Sequence, residues 1–465
     1  MSAADVVVVG NGAAGTLVVI DLVRGDAAGG TPLRITWVGD GPTAHGVAYA
    51  TKRPWHRLNV PADTLSLDAA HQDFPSWLEA RGVDAEATSA RDAEFAPRWS
   101  FGAYLAETLR DVRAAADPSL VTVDVESTRA VGAVTGTDGV RVELADGRTV
   151  DAGHLVLAPG PFPSPRLPGL TDAGAEHPGL VVDPWSGALE SDDRPADSVV
   201  LVGTGLTMVD AALSLGRRDP RTRLLAVSRS GLLPRAHSWR RGEPVDPPVS
   251  PGMSLAEVVR AVQDRVARAP DRWRDVVDGL RPAVQDIWRS FPAADRDRFL
   301  AEHARTWEVH RHRMAPSVAD ELGRLRDTGR LEVRAASVTR IDAAGDGLAV
   351  TFAGPDDAEE TVHADRVVSC IGAQEDVTAV DDPLVAALVR VGDARPHPTG
   401  LGFDTDDDGA LVPVDGRARR VFTLGTTRRG DLYETTAVPE IREQAAALAG
   451  VLLRNRSPQP SSVGR

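Results

Sequence analysis

The chain has 465 residues, and its 52 Lys and Arg against 67 Asp and Glu leave a net charge of −15. Such a balance repels phosphate backbones and anionic lipid, which argues against nucleic acid and membrane surfaces as partners. Its one cysteine, Cys370, supplies neither an internal disulfide nor a CxxC pair nor a zinc cluster, and the length exceeds one compact core, so two or three domains are expected.

The first residues, MSAAD, lead straight into a strand with none of the features of a signal peptide. No run approaches the roughly 18 apolar residues of a membrane helix, and the expectation is a cytoplasmic protein. Asp5 to Val9 read as a buried parallel strand, followed by Gly10, Gly12 and Gly15 in a GxGxxG turn with Ala13 and Ala14 inside it, and then by an amphipathic helix. The first glycine permits the tight turn, the second lets the backbone approach a pyrophosphate, and the third lets helix and strand pack closely. The helix N-terminus then faces the anion. The next strand, LRITWVG, should end in an acid for the adenosine ribose; Gly39 fills that slot, and Asp40 beside it is the candidate.

Further along, VRVELADGRTVDAGH reads as a β-hairpin leading into HLVLAPG, residues 154–160, a strand ending at Gly160. SVVLV, residues 198–202, repeats the strand-and-turn pattern with Gly203, Thr204, Gly205, Leu206 and Thr207, although Met208 holds the third glycine position. The strand after it, RLLAVSR, ends in Ser228 and Arg229 rather than an acid. A ribose hydroxyl calls for a carboxylate, whereas a 2′-phosphate calls for a cation and a hydroxyl donor, so this pair points to NADPH. Two turns of this kind imply a resident redox cofactor, FAD, and a transient hydride donor.

Residues 252–328 show helical spacing and little strand signal, as a substrate lid or a subunit interface of a homo-oligomer would. Within them WEVHRHR offers Arg311 and Arg313 as anion ligands or as a solvated basic face. His310 and His312 fall on different helical faces, which argues against a metal site. A second hairpin, GLAVTFAGPDDAEETVHAD, leads into VVSCIGAQ, residues 367–374. Both crossing strands suggest an FAD domain interrupted by the nicotinamide domain. The boundaries read as 1–195 and 335–455 for the first, 196–334 for the second, with a disordered tail at 456–465. Finally, VFTLGTTRRGDLYETTAVPEIREQ places a GD turn before a helix. Asp431 is the candidate ribityl ligand, and Thr435, Thr436, Ala437 and Val438 form the helix start facing the flavin pyrimidine.

Taken as a set, HGVAYATKRPWHRLNVPADTLSL, FAPRWSFGAYL, VVDPW, VGTGLTMVD, SRSGLLPRAH, WEVHRHRMAP and LYETTAVPEIREQA resemble the bacterial FAD/NAD(P)-binding proteins distantly related to the flavin-dependent N-hydroxylating monooxygenases. The resemblance implies an α/β fold with two Rossmann-like domains and a helical insertion, and binding of FAD and NAD(P)H. It implies that the segment 46–65 runs along the flavin, with Tyr49 and Asn59 on it, and that Arg98 and Tyr104 follow as cofactor or substrate contacts. Members carry a glutamate where this chain has Gly39. The functional expectation is an NADPH-dependent monooxygenase in which reduced flavin and O2 form a C4a-hydroperoxide that oxidises a small polar substrate, an amine or amino acid nitrogen among the choices. An oxygen-independent flavin reductase and a non-catalytic FAD-binding sensor remain as alternatives.

Overall fold

The computed structural model describes residues 4–26, 32–67, 72–83, 94–191, 196–416 and 418–455. The expected disordered tail at 456–465 lies outside the described residues. Among these, fifteen strands form three sheets. The first sheet contains β1 (Ala4–Val9), β2 (Leu33–Val38), β3 (Val121–Glu126), β4 (Ala130–Thr135), β5 (Val140–Leu144) and β6 (Thr149–Leu157) in the order β3-β2-β1-β6-β5-β4. The second contains β7 (Leu180–Val181), β8 (Ser198–Val202), β9 (Arg223–Ser228), β10 (Leu331–Ala335) and β14 (Arg366–Ser369) in the order β10-β9-β8-β14-β7. Between β10 and β14 the chain makes the antiparallel sheet of β11 (Ser337–Ala344), β12 (Gly347–Ala353) and β13 (Glu359–Ala364). The last strand, β15 (Val421–Thr423), returns to the first sheet parallel to β6.

The two halves repeat one plan. In each, a Gly-rich turn joins the first of three parallel strands to a helix, and an antiparallel excursion, β4 and β5 in the first half and β11 to β13 in the second, leads to the strand beside the first, β6 or β14. Val6 to Val9 pair with Ile35 to Val38 on one side and His154 to Leu157 on the other. Val199 to Val202 pair in the same way with Leu224 to Val227 and with Arg366 to Ser369. Strands walled on both sides by neighbours and on both faces by other elements have no wet face, which is why they read as unbroken Val and Leu rather than as alternating patterns. The helix Ala13–Asp26 covers the first sheet together with Arg98–Ala115 and Val438–Arg454, and Leu17, Leu22, Phe101, Leu105, Leu448 and Leu452 meet there in one core.

The structure differs from the expected segment boundaries at residues 337–369. The second hairpin was expected with the first domain. Its Ile341, Leu348, Val350 and Phe352 instead bury against Val200, Val202 and Val227 of the second sheet, and β14 is in register with β8. A strand belongs to the sheet that satisfies its backbone, and sequence order does not reveal that partner. We propose that the domains part within the two connections, 158–179 and 370–420.

Residues 255–327 are helical as expected: Leu255–Arg268, Trp273–Leu280, Val284–Ser290, Ala293–Arg298, Ala304–Arg311 and Pro316–Asp327. Ser254 opens the first of these with a capping box to Glu257. No helix among the described residues is long and apolar enough to cross a membrane.

Candidate active site

Each Gly-rich turn is locked in place by the strand beside it. Gly10 has φ +108°, and a Cβ there would lie 2.1 Å from the carbonyl oxygen of Ala158, just beyond β6. Gly203 has φ +113°, and its Cβ would lie 2.3 Å from the carbonyl oxygen of Cys370, just beyond β14. Only glycine fits either place. A Cβ on Gly15 would meet the Gly10 carbonyl oxygen at 1.9 Å, so helix and turn touch directly. Met208, at the matching position of the second turn, is fully buried among Val199, Leu201 and Leu213. Its side chain joins the core of the second half, where Gly15 instead meets the turn backbone directly.

The absent ribose glutamate also has a steric cause. A Cβ on Gly39 would fall 2.5 Å from Cγ of Asn11, whose side-chain amide donates to the Gly41 carbonyl. Asn11 therefore fills the space a residue-39 side chain would need. Asp40 is exposed at the end of β2, the position from which a carboxylate reaches a ribose. At the second turn Gly205 caps the helix Leu206–Arg218, and a Cβ there would meet nothing within 4 Å, which leaves the backbone open for an anion. Thr204 and Thr207 flank it, Thr204 being buried. The Thr204 hydroxyl lies 2.8 Å from the Ser228 hydroxyl and donates to the Leu232 carbonyl. Ser228 thus braces the turn itself. Arg229 is exposed beside it with no hydrogen bond or ion pair among the described residues, a free cation for a phosphate.

Where the halves meet lies a cavity of about 200 Å³. Tyr49, Asn59 and Arg98 come to it from the first half, Leu206, Val209 and Asp210 from the helix of the second turn, His312 and Met314 from the end of the helical insert, and Thr436, Ala437 and Val438 from the start of the last helix. Ala13 and Ala14 sit half-buried at the helix N-terminus of the first turn. Arg57 also lines the cavity and donates to the Phe95 carbonyl at 2.7 Å. The Asn59 carbonyl is 2.9 Å from Nε2 of His237 in the opposite half.

Across this junction Arg98 donates to Asp210 at 2.6 Å and stacks over Trp185 at 4.8 Å from the ring centroid. Burial pushes the Asp210 carboxyl up to about 6 while the Arg98 charge pulls against it. Nearby, Ser214 of the second-turn helix lies 2.8 Å from Nε2 of His56 and accepts from Nε1 of Trp55 at 3.1 Å. Burial and then the charge of Arg98 press His56 down to about 3, so it is a neutral imidazole at physiological pH.

Three expected residues fall away from the cavity. Tyr104 is buried against Phe74, Trp77 and Phe101, and its hydroxyl donates to Asp73. Thr435 is buried and its hydroxyl accepts from Gln444 at 2.6 Å. Asp431 uses its carboxylate on Thr405, accepting from the backbone at 3.0 Å and from the hydroxyl at 2.6 Å. The turn at the end of β15 is instead Gly425-Thr426, with Thr426 donating to the Gly160 carbonyl at 2.8 Å. Since β15 lies beside β6, it is Thr426, five residues earlier in the chain, that reaches the end of the first sheet.

The arginines of WEVHRHR are neither a solvated face nor free anion ligands. Arg311 is 5% exposed and lies 3.4 Å from Glu434 and 3.6 Å from Glu440, and Arg313 is paired with Asp278. Arg281 binds Glu440 with both nitrogens, at 2.7 and 3.0 Å. Trp307 donates to Glu434 at 2.7 Å. Burial would raise the Glu434 carboxyl, but His312, Arg311 and Trp307 hold it down at about 2. The insert is thereby fastened to the segment that begins the last helix.

Residues 7–162 match the family model described as FAD-NAD(P)-binding, a span running from β1 through the first turn to just beyond Gly160. No curated protein matches in sequence. The fold is similar to that of the ornithine N-hydroxylase of Kutzneria sp. 744 solved with reduced FAD, NADP+ and L-ornithine, at 17% identity over 98% of this chain and 100% of that one, TM-score 0.66. It is similar to L-lysine 6-monooxygenase from Pseudomonas syringae, at 19% identity over 97% and 99%, TM-score 0.65. It is also similar to bacillithiol disulfide reductase from Staphylococcus aureus, at 14% identity over 98% and 100%, TM-score 0.56. The fold is that of the two-dinucleotide-binding flavoproteins.

Proposed function

We propose that this protein is an FAD-dependent oxidoreductase, and specifically an NADPH-oxidising monooxygenase that acts on the nitrogen of a small amine or amino acid. The observation that carries this reading is the cavity at which the 48–65 segment and Arg98 of the first half, the helix of the second turn, the insert and the start of the last helix converge. Gly10, Gly12 and Gly15 would hold the FAD pyrophosphate, Asp40 its ribose, and the helix start from Thr436 to Val438 the pyrimidine end of its ring. Gly203 to Thr207 would hold the NADPH pyrophosphate and Arg229 its 2′-phosphate. Bound FAD would supply the means to accept a hydride from NADPH and pass its electrons to oxygen. Leu206, Val209, Met314 and Val438 line the cavity with apolar surface that would keep water from a bound flavin, and the Arg98–Asp210 pair joins the two halves.

A protein dithiol plays no part, because Cys370 is the sole cysteine and is buried under the second turn, where burial pushes its thiol far up. The likeness to a disulfide reductase favours, as a second reading, a flavin reductase that passes electrons to an acceptor other than oxygen. NADPH oxidation and O2 uptake across amines, amino acids and thioethers, with H2O2 followed in parallel, separate the two. Substrate-dependent O2 uptake exceeding H2O2 release is expected. Flavin that NADPH bleaches and only a non-oxygen acceptor restores would sink the monooxygenase reading.

A further inference from the structure

We infer that His312 is a catalytic residue, the proton carrier of the cavity, and that Glu434 positions it. This rests on the oxidoreductase reading above. Without substrate the balance is NADPH + O2 + H+ giving NADP+ and H2O2; with an amine it is NADPH + O2 + H+ + RNH2 giving NADP+, H2O and RNHOH. In both, the hydride brings one hydrogen with two electrons, and one further proton must come from the surroundings of the cavity.

The titratable side chains lining that cavity are Tyr49, Arg57, Arg98, Asp210 and His312. Burial pushes the Tyr49 hydroxyl up and out of use, and guanidinium groups do not release protons. Asp210, although burial raises its carboxyl to about 6, is committed at 2.6 Å to the Arg98 guanidinium, which favours its charged form and joins the two halves. His312 remains, an imidazole, the side chain suited to passing a proton near neutral pH.

Its placement is built from both sides. His312 ends the helix Ala304–Arg311, its backbone N–H still bonded to Glu308 at 2.8 Å, and two residues on Met314 is tied to Arg235 and His237 by backbone bonds of 2.8 and 2.9 Å. The extended backbone between them turns Arg311 and Arg313 inward to Glu434 and Asp278, and leaves His312 and Met314 on the cavity. His312 Nε2 stands 3.9 Å from the Glu434 carboxylate. That carboxylate is 6% exposed and fixed by Trp307 and Arg311. Tyr433 just before it takes φ +58° and ψ −66°, a strained γ-turn closed by the Glu434 N–H on the Leu432 carbonyl at 2.7 Å, and is wedged against Trp288 and Phe299 with ring centroids 4.8 and 5.0 Å away. Strain held by packing at this point aims Glu434 at the histidine. The charges facing His312 are Glu434 from the last-helix segment, Arg311 and Arg313 from its own, and Arg57, Arg98 and Asp210 across the cavity.

The two half-reactions of the FAD-loaded protein, followed separately by flavin absorbance, test the assignment. H312Q should leave anaerobic reduction by NADPH within about two-fold of wild type, yet slow reoxidation by O2 by roughly 10²-fold and remove its pH dependence. Added imidazole should restore part of the oxygen step in H312A. E434Q should slow that step by less than H312Q does, because the imidazole remains while the carboxylate 3.9 Å from its Nε2 is lost. In the ligand-free protein, the imidazole NMR signal that H312Q removes should change its chemical shift in E434Q, since the ring loses the carboxylate 3.9 Å from Nε2. An H312Q oxygen step equal to wild type, or equal losses in both half-reactions, overturns the assignment alone. Wild-type flavin that NADPH fails to bleach overturns the oxidoreductase reading and this inference together.

Discussion

The two Gly-rich turns start from the same design and end differently. In the first, Gly15 lets the helix touch the Gly10 carbonyl, Asn11 occupies the space over Gly39, and an exposed carboxylate, Asp40, ends the neighbouring strand. In the second, Met208 joins the core, Thr204 and Ser228 brace the turn through their hydroxyls, and an exposed cation, Arg229, follows. A tight turn with an acid suits a ligand held permanently by its ribose; a propped turn with a free cation suits one recognised by an extra phosphate. What the two turns share is the backbone at their first glycine; what separates them is every side chain around it.

The largest effect is expected where they are alike. G10A and G203A each drive a Cβ into a carbonyl oxygen at positive φ, and each should cost about 2–5 kcal/mol, read as a lowered Tm. If one is tolerated, the two turns do not share the same backbone lock.

Next comes the bond between the halves. R98A leaves Asp210 buried without its cation, and a loss of about 2–4 kcal/mol is expected in denaturant unfolding. D210N, which removes the buried charge together with its demand for a partner, should cost less. Equal losses would show that leaving the buried Asp210 charge unpaired carries no penalty of its own.

Acid should then reveal the insert's attachment. The Glu434 carboxyl titrates near 2 in the folded chain against 4.5 as a free group. A depressed value means stability that is complete above 4.5 and lost as pH falls toward 2, about 3 kcal/mol at most. E434Q should flatten that part of the Tm–pH curve; an unchanged slope would remove Glu434 from the account.

The smallest effect concerns the exposed cation. R229A should raise the KM for NADPH by roughly ten-fold and leave that for NADH nearly unchanged, since an exposed charge-assisted contact is worth about 1–2 kcal/mol. A parallel rise in both would end the 2′-phosphate reading.

The sequence by itself determined the parts governed by local geometry. Val6 to Val9 and Val199 to Val202 read as buried parallel strands because no polar residue interrupts them, and Gly10 and Gly203 read as turns because nothing else takes that φ. Both hairpins and the helical insert were legible in the same way. Several cavity residues, among them Tyr49, Asn59, Arg98 and Val438, could be picked out because a whole set of motifs resembled a known family.

Only the tertiary structure decided what depends on distant partners. It made β11 to β13 a sheet of their own packed on the second, paired β14 with β8, put Thr426 beside Gly160 at the end of β15, and took Tyr104 into the core. It also turned Arg311 and Arg313 inward while leaving His312 between them on the cavity. Asp210 and Glu434 gave no signal as isolated acids, since their meaning comes from Arg98, 112 residues away, and from Arg311, Trp307 and His312 across the junction. Backbone conformation is written in a few neighbouring residues, but the solvation and pairing of a charge are fixed by whatever the fold brings against it.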